Sequence, residues 1–313
     1  MSASGSGGLI VGMDIGGSKS HVRIEDLATG AMISDVVRSN TGWAALTDLD
    51  RAAVLGALLH DILRDKSGIA AIVAGVHGSD SPQQAAILRS ALAPFAPIAS
   101  VINDSSLLVP AYGLSSGTGV TAGTGSSATA SEASGHALTV GGWGWVLGDE
   151  GGAVGIVRDA AKQVLSAYDN DESDLLSARL LAALGVEHPH GLGRKLATTD
   201  PRLWARIAHL VFDASADGSP RAREVIESHG QALAAMVALL ARRGGDIRTV
   251  VCGGGLMTRQ PALFDAFAGA MKARFGHQSN VVLLTGPPVA GAIHLARQVV
   301  SSTGDKERTV IST

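Results

Sequence analysis

The spacing of apolar residues predicts that the first third of the chain alternates strands and helices. Residues 9–15, LIVGMDI, form an apolar run with branched side chains, which is typical of a buried strand. In residues 20–27, apolar and polar side chains alternate, which is typical of a strand with one exposed face. The further elements predicted in this half are a strand at 31–39, a helix at 47–65, a strand at 68–76, a helix at 81–95 and a strand at 98–103. The predicted order is therefore three strands, a helix, a strand, a helix and a strand.

The second half of the chain repeats this order around a block of helices. Its first three strands are predicted at 117–123, 127–133 and 137–140. The block of helices is predicted at 150–167, 174–184, 201–213 and 220–243. The closing elements are a strand at 247–253, a helix at 261–275, a strand at 280–285 and a helix at 288–300. Two copies of one topology predict a duplicated chain with a cleft between its halves.

The repeat also predicts where the domains begin and end. We expect an N-terminal domain at 9–115 and a C-terminal domain at 116–300, the latter with a helical insertion at about 150–245. Residues 1–8, MSASGSGG, lack the basic region and the apolar stretch of a signal peptide, so a disordered tail is expected there. A second tail is expected at 301–313.

Each half has a glycine turn between its first two strands. In the first turn, GMDIGGSKS at 12–20, Gly12 and Gly17 have the spacing of the two glycines of a P-loop, but Ser18 occupies the position of its lysine. The turn also lacks the spacing of a dinucleotide-binding motif. Both of those motifs lead into a helix, whereas here a strand follows. The turn is therefore predicted to join a β-hairpin.

Composition excludes several classes of protein. The 313 residues are 46% hydrophobic and 17% charged, which is typical of a globular chain with a substantial core. A net charge of -3 and a pI near 6.4 give no support for binding to nucleic acid or an anionic membrane. No apolar run approaches the ~20 residues that span a bilayer, so a cytoplasmic protein is expected. The single cysteine, Cys252, excludes an intrachain disulfide, a four-cysteine zinc site and an iron–sulfur cluster held by several thiolates of this chain.

The glycine motifs resemble those of a known superfamily. The segments DIGGSK (14–19) and AGTGSS (122–127), with GGG at 253–255, resemble the actin-like sugar kinase and ATPase superfamily. The segment GGWGWVLGDEGGA (141–153) is narrower and resembles eukaryotic-type N-acetylglucosamine kinases and the BadF/BadG/BcrA/BcrD ATPase family. The resemblance covers residues 9–298. It implies an α/β, duplicated ribonuclease H-like (actin-like ATPase) fold with two domains around a central cleft.

The resemblance implies phosphoryl transfer from ATP, with Mg²⁺, to the hydroxyl of a small-molecule amino sugar. N-acetylglucosamine, converted to its 6-phosphate, is the expected substrate. Ser127 stands where some N-acetyl kinases carry Asn, which leaves glucosamine as an alternative. Two further alternatives are a BadF-type ATPase or activator without a sugar substrate, and a non-catalytic sugar sensor. The resemblance also implies a homodimer.

The same resemblance implies that the two glycine turns bind the phosphates of ATP. Glycine permits unusual φ angles and a close approach of backbone N–H groups to phosphate oxygens. The turn residues expected to contact ATP are Gly16, Gly17, Ser18, Lys19, Thr124, Gly125 and Ser126. Gly254 and Gly255, which follow a predicted strand, are expected to lie against the adenine and ribose. The alternative for each segment is an ordinary tight turn.

Two aspartates are expected to carry the chemistry. Asp104, after the strand IASVIN, is implied to be the base that accepts the proton of the sugar hydroxyl, and its alternative role is to cap a helix. Asp14, at the end of the first strand, is implied to contact Mg²⁺ through water, and its alternative role is to cap the hairpin.

The remaining expectations concern the sugar. The residues expected to contact it are Asn40, Gly142, Trp143, Gly144 and Asp149. Trp43 is expected to be ordinary packing, and Glu150 a carboxylate that favours the start of a helix. His77, at the end of a predicted strand, is expected to be a structural histidine, and its alternative position is facing the cleft. Cys252 is expected to be a buried apolar residue.

Overall fold

The computed structural model describes residues 8–40, 42–131 and 137–311. These residues form two compact units. The first contains the described residues up to Ser116 together with those from Leu284 onward, and the second is Gly117–Leu283. Apart from Gly8, the predicted N-terminal tail lies outside the described residues. Each unit has one five-stranded sheet with helices packed against it.

The strands of the two sheets are β1 Leu9–Ile15, β2 Lys19–Asp26, β3 Met32–Ser39, β4 Ile69–Val76, β5 Ile98–Asn103, β6 Thr118–Ala122, β7 Ser126–Ser131, β8 Ala137–Gly141, β9 Thr249–Gly253 and β10 Asn280–Leu283. The helices are α1 Asp48–Ile62, α2 Pro82–Leu92, α3 Leu108–Ala111, α4 Ala153–Asp169, α5 Leu175–Leu184, α6 Leu192–Thr198, α7 Pro201–Ile207, α8 His209–Ala216, α9 Pro220–Arg242, α10 Pro261–Phe275 and α11 Val289–Ile311. Short 3₁₀ helices occupy Trp43–Ala45, Asp104–Leu107 and Pro189–Gly191.

The two sheets have the same topology, which confirms the predicted duplication. The order in the first unit is β3-β2-β1-β4-β5, and in the second it is β8-β7-β6-β9-β10. In both, the first three strands pair antiparallel. In each unit the fourth strand pairs parallel with the first, and the fifth pairs parallel with the fourth. The first strand is therefore the centre of each sheet, and it leads directly into the glycine turn.

Helices cover both faces of the first sheet, and α11 forms one of the two layers. Val11 and Met13 pack in the cluster that contains α1 and α2, whereas Ile10 packs against Ile293 of α11. A Cβ at Gly12 would lie 2.8 Å from the Ile293 nitrogen, so only glycine lets the helix approach β1 this closely. Side chains alternate along a strand, so Asp14 lies on the same face as Ile10 and Gly12.

The position of α11 differs from the predicted domain boundaries. The sequence placed the closing helix in a second domain at 116–300 and a tail at 301–313. In the structure this helix belongs to the first unit and continues to Ile311. Periodicity identified the helix, but it carries no information about which sheet the helix packs against. The predicted cleft between the halves stays a prediction.

The helical insertion of the second unit extends from α4 to α9. The helix predicted at 201–213 is two helices, α7 and α8, which are separated at Ala208. The helix α6 was not predicted. Within the described part of the chain, no helix combines the length and the apolar character that a membrane span requires.

Candidate active site

Asp14 is a buried carboxylate in the centre of the first sheet. It precedes the last residue of β1, and little of it reaches solvent. Burial, together with the nearby carboxylate of Asp104, raises the pKa of Asp14 to about 7, while the ammonium of Lys19 acts in the opposite direction. A divalent cation would favour the ionised form of such a group. Asp14 therefore fits the predicted contact with Mg²⁺.

The metal would need few protein ligands. Among the described residues there is no cluster of three or more histidine, cysteine, aspartate or glutamate side chains that could hold an ion. Mg²⁺ keeps several of its waters in nucleotide sites and binds through one or two carboxylates and the substrate phosphates. A single buried aspartate beside the first glycine turn is compatible with that mode.

Asp104 begins the 3₁₀ helix that follows β5. The N-cap of this helix is the preceding residue, Asn103, whose Oδ1 accepts hydrogen bonds from the Ser105 backbone N–H at 3.0 Å and from its hydroxyl at 2.6 Å. The capping role that was the alternative for Asp104 therefore falls to Asn103. Asp104 Oδ1 lies 3.0 Å from the same Ser105 nitrogen, and its Oδ2 points to another loop.

That loop brings His77 to Asp104, which the sequence analysis did not anticipate. His77 follows β4, and its Nδ1 lies 3.6 Å from Asp104 Oδ2. Its backbone N–H donates to the Ile15 carbonyl at 2.8 Å, and its own carbonyl accepts from Trp43 Nε1 at 3.0 Å. The ring is 42% exposed. It also lies beside Gly17, because a Cβ there would be 3.6 Å from His77 Cδ2.

Asp80 is a third carboxylate in this region, and it too was missed. Burial raises its pKa, and Asp104 adds to this effect, while His77 opposes it. Asn103 Nδ2 donates to Asp80 Oδ1 at 2.8 Å. The available signal was GVHGSD, which places His77 and Asp80 just after a predicted strand. Because β1, β4 and β5 are parallel neighbours, residues that follow them meet at the same edge of the sheet.

The first glycine turn offers fewer amides than predicted. The Gly16 N–H donates to the Lys19 carbonyl at 2.9 Å, so it closes the hairpin and is not directed at a ligand. In the described turns and loops, the N–H groups of Gly17 and Ser18 make no such backbone hydrogen bond. Neither Gly16 nor Gly17 has a left-handed φ. The expectation of unusual φ at these glycines was therefore wrong, and the remaining reason for glycine is close approach.

Asn40 holds this turn in place. Its buried side chain donates from Nδ2 to the Gly16 carbonyl at 2.6 Å, and its backbone N–H donates to the Ser18 carbonyl at 2.9 Å. The structure thus gives Asn40 a bracing role, and its predicted contact with sugar stays a prediction. Trp43 is fully buried in the core of the first unit, which confirms the expectation of packing.

The second glycine turn, between β6 and β7, has a similar hydrogen-bond pattern. The Gly123 N–H donates to the Gly125 carbonyl at 2.9 Å, and in the described turns and loops the N–H groups of Thr124 and Gly125 make no backbone hydrogen bond. Ser126 differs from the prediction. Its N–H lies 3.3 Å from Asp149 Oδ1, and its hydroxyl donates to the Glu150 carbonyl at 2.6 Å. Two consecutive amides in each turn could therefore bind an anion.

Asp149 lies directly against this second turn. A Cβ at Gly125 would be 2.7 Å from the Asp149 carboxylate, so glycine is required for the carboxylate to lie there. Asp149 itself has a left-handed φ of 64°. Residues in this region of φ and ψ space store strain and often occur at functional sites. Asp149, which was predicted to contact sugar, therefore lies against the turn that was predicted to contact ATP, and both contacts stay predictions.

The other predicted sugar residues lie on the segment that leads to Asp149. Gly142 and Gly144 have φ angles of 75° and 80°, which L side chains rarely adopt. The Gly142 N–H donates to the Ser126 carbonyl at 2.9 Å. Trp143 is 74% exposed, so its ring is available to a ligand. A sugar ring commonly packs one apolar face against such a surface, but here that contact stays a prediction.

The turn after β9 approaches the second hairpin. Gly254 has a φ of 95°, and a Cβ there would lie 2.4 Å from the Ala122 carbonyl oxygen. That carbonyl accepts from the Leu256 and Met257 N–H groups, each at 3.1 Å. Gly255 has no left-handed φ, and its nitrogen is 3.8 Å from where a Gly123 Cβ would be. Both glycines are therefore next to the turn, where a nucleotide contact was predicted.

Comparison with known sequences gives two matches. The sequence profile of the BadF/BadG/BcrA/BcrD ATPase family matches residues 11–293. The N-acetylmuramic acid/N-acetylglucosamine kinase of Clostridium acetobutylicum is 22% identical to this chain over 303 residues, which are 92% of this chain and 98% of that protein. Both matches extend across the two units.

Comparison with solved structures shows the fold. A Chromobacterium violaceum protein, provisionally assigned as an N-acetylglucosamine kinase, superposes with a TM-score of 0.73 at 24% identity, covering 92% of this chain and 98% of that one. A ROK family glucokinase from Streptomyces griseus, solved with glucose and AMPPNP, superposes with a TM-score of 0.57 at 17% identity. This match covers 93% of this chain and 100% of that one. The predicted duplicated α/β fold is confirmed.

Proposed function

We propose that the chain, which belongs to the BadF/BadG/BcrA/BcrD ATPase family, is an ATP-dependent amino-sugar kinase. Its proposed substrate is N-acetylglucosamine, phosphorylated at the 6-hydroxyl. The relative from Clostridium acetobutylicum, named as an N-acetylmuramic acid/N-acetylglucosamine kinase, supports an acetylated amino sugar over free glucosamine. Binding of a sugar by the related glucokinase supports the substrate class.

One observation carries the proposal. Asp14 and Asp104 lie close enough for the charge of Asp104 to raise the pKa of Asp14. Phosphoryl transfer needs a carboxylate that accepts the proton of the attacking hydroxyl and a second group that holds the metal. The first unit has a carboxylate suited to each role at one edge of its sheet, beside a turn with two available amides.

In this mechanism Asp104 accepts the proton of the sugar hydroxyl as that oxygen attacks the γ-phosphorus. The carboxylate is only 13% exposed, so it is shielded from water but open enough to receive a hydroxyl. The Gly17 and Ser18 amides and the Lys19 ammonium of the first unit would stabilise phosphate charge, and the Thr124 and Gly125 amides of the second unit have the same proposed role. Asp14 would hold Mg²⁺ through water, and the ion would supply positive charge that stabilises the phosphates.

The sugar is bound by groups of the second unit in this proposal. The Asp149 carboxylate would accept hydrogen bonds from sugar hydroxyls, and Trp143 would pack against the ring. The contact of Asp149 with the second glycine turn supports this role, because sugar and γ-phosphate must meet during transfer.

The alternative of an electron-transferring activator is disfavoured by Cys252. A cluster needs thiolate ligands. Cys252 is fully buried in β9, and this burial raises the pKa of its thiol. The residue is therefore confirmed as buried, and it offers no thiolate to a cluster.

A coupled ADP-release assay tests the proposed function. The panel is N-acetylglucosamine, N-acetylmuramic acid, glucosamine, N-acetylmannosamine, glucose and no sugar. We expect ADP release to require a sugar and to be fastest with an N-acetylated one. Fast release without any sugar would replace the kinase with the ATPase alternative, and a preference for glucosamine would correct the substrate.

The proposal also includes Mg²⁺ as the metal, a homodimer and a cytoplasmic location, as the resemblance implies. Activity that depends on Mg²⁺ and is abolished by a chelator tests the metal. A mass of twice the monomer in light scattering tests the homodimer. A monomer in that measurement would correct the oligomeric state without affecting the kinase proposal.

A further inference from the structure

The loop that carries Asp149 is hydrogen-bonded to a buried histidine on helix α9. Asp149 has a left-handed φ, which a non-glycine residue keeps only when its surroundings fix it. Two residues later, the Gly151 N–H donates to His229 Nδ1 at 2.6 Å. His229 lies on α9 and is 1% exposed. The loop backbone is therefore fixed from inside the second unit.

The accepted hydrogen bond defines the tautomer of His229. Because Nδ1 accepts from a backbone N–H, it carries no proton, and the proton of the neutral ring is on Nε2. That nitrogen lies 3.1 Å from Asp159 Oδ2, although the two are not well aligned for a hydrogen bond. Asp159 thus selects the tautomer whose Nδ1 is free to accept.

Asp159 is itself fixed and ionised. Burial alone would raise its pKa, but contacts from His229, Arg158 and Lys162 hold the pKa well below its usual range. Arg158 makes two of these hydrogen bonds, at 3.1 and 3.0 Å, and Lys162 Nζ lies 2.7 Å away. Asp159 therefore keeps its charge throughout the neutral pH range.

Arg158 attaches the beginning of the same loop. One of its terminal nitrogens donates to the Trp145 carbonyl at 2.6 Å and to the Gly148 carbonyl at 2.8 Å. Another lies 3.5 Å from the Glu150 carboxylate. Arg158 therefore binds the beginning of the segment from Trp145 to Gly151. The end of the segment is bound by His229, which lies beside Asp159.

Packing leaves no space for the loop to move towards α9. A Cβ at Gly151 would lie 2.5 Å from Leu233, which is one helical turn after His229. A Cβ at Gly155 would lie 2.3 Å from the Asp149 carbonyl oxygen and 3.4 Å from the His229 ring. The loop is therefore packed closely against α9, and the hydrogen bond to His229 fixes where it contacts that helix.

We propose that His229, oriented by Asp159, is a positioning residue that holds Asp149 in the geometry required to bind the amino sugar. His229 touches neither substrate nor phosphate in this account and acts through the Gly151 backbone. The proposal rests on the proposed function, because the ligand of Asp149 is the sugar of that reaction.

The test compares three variants. His229→Ala removes the acceptor and leaves the buried Gly151 N–H without a partner, whereas His229→Asn keeps an amide oxygen close to the Nδ1 position. His209→Asn is the control, since His209 is an exposed residue of α8. We expect His229→Ala to raise the KM for sugar roughly tenfold or more, with the KM for ATP changed less than about twofold. His229→Asn should recover much of the loss, and the control should match the wild type.

Hydrogen exchange gives a readout that does not depend on activity. In His229→Ala, exchange of the amides in 148–152 should accelerate, while exchange in 16–18 stays unchanged. If His229→Ala fails to fold, Asp159→Asn provides the same test, with a change of the same sign and smaller size. Circular dichroism identifies the folded variants.

The outcomes separate the two proposals. An unchanged sugar KM together with unchanged exchange at 148–152 would overturn the positioning role, even if the wild type is an active kinase. Equal changes in the KM for sugar and for ATP would also overturn it, because they indicate a general loss of structure. If the wild type phosphorylates no sugar but the loop loosens in His229→Ala, the proposed function fails and so does the sugar-positioning role, while the structural tie stands.

Discussion

His77 Nδ1 lies 3.6 Å from Asp104 Oδ2, where the parallel strands β4 and β5 end side by side. This distance is too long for a hydrogen bond, and the contact is an ion pair when the imidazole is protonated. Burial raises the pKa of Asp80, and His77 acts in the opposite direction. The imidazole is therefore an electrostatic partner of Asp80 and lies beside both Asp104 and the first glycine turn.

Asp104→Asn should abolish most turnover while leaving the protein folded. The amide has nearly the same shape but cannot accept the hydroxyl proton, so we expect kcat to fall by ~10²-fold or more, the usual scale for a general base. ATP affinity and the melting temperature should stay close to the wild type. Steady-state kinetics and a nucleotide-binding titration provide the measurements. A variant with near wild-type kcat would remove Asp104 from the mechanism.

His77→Ala should slow catalysis less than Asp104→Asn does. Loss of the imidazole removes the group that lies 3.6 Å from Asp104 Oδ2 and helps to position that carboxylate, and we expect roughly a 3- to 10-fold lower kcat. The pH dependence of kcat should change, which a purely structural role would not cause. His60→Ala, an exposed residue of α1, is the control. If kcat and its pH profile are unaffected, His77 is the structural histidine that the sequence analysis expected.

Asp14→Asn should stabilise the ligand-free protein at neutral pH. The pKa of Asp14 rises from 3.8 to about 7 on folding, so between these values the native state holds a proton that the unfolded state has lost. Ionisation of this group therefore makes the native state less stable as the pH rises from about 4 to about 7. Urea unfolding at several pH values, without nucleotide or Mg²⁺, should show the variant more stable than the wild type above pH ~7 and similar near pH ~4.

Asp35→Asn is the matched control for Asp14→Asn, because its expected effect has the opposite sign. A hydrogen bond from Arg23 lowers the pKa of Asp35, and the contact with His21 lowers it further, whereas burial acts in the opposite direction. The stability that Asp35 contributes is therefore present at neutral pH and is lost as the pH falls through its folded pKa. Asp35→Asn should lower stability at pH ~7. Equal responses of the two variants would contradict the assigned electrostatic causes.

Alanine substitutions at Gly17 and Gly125 should have different consequences. A Cβ at Gly17 would make only an ordinary contact, 3.6 Å from His77, so Gly17→Ala should retain stability and raise the KM for ATP if phosphate approaches there. A Cβ at Gly125 would lie 2.7 Å from the Asp149 carboxylate, so Gly125→Ala should displace that side chain and raise the KM for sugar as well. Thermal melts and separate titrations of both substrates distinguish the two. An unchanged KM for ATP in Gly17→Ala would argue against phosphate contact at that turn.

Local sequence signals predicted most of the elements. Thr47 is the N-cap of α1 and Pro82 lies in the first turn of α2, so residues typical of helix starts mark both of these helices. The strand β5 and the helix α10 have the predicted bounds, because turn residues and proline mark their ends. The division of 201–213 at Ala208 was missed, since no glycine or proline marks it.

The site was predicted less completely than the fold. Glycines and aspartates that belong to short motifs were recognised, but the contacts of His77 with Asp104 and of His229 with Gly151 join residues far apart in sequence. Their positions depend on the parallel strand order and on helix packing, which periodicity does not encode. The role of the Gly16 amide in closing the hairpin was missed for a different reason: a sequence gives the number of N–H groups in a turn but not their partners.

The most direct test of the central claim is the stoichiometry of the reaction with N-acetylglucosamine. ADP is quantified by the coupled assay, and the sugar phosphate is quantified by mass spectrometry in the same sample, for the wild type and for Asp104→Asn. We expect equimolar ADP and N-acetylglucosamine 6-phosphate from the wild type and almost none of either from the variant. ADP without a phosphorylated sugar, or equal amounts from both proteins, would contradict it.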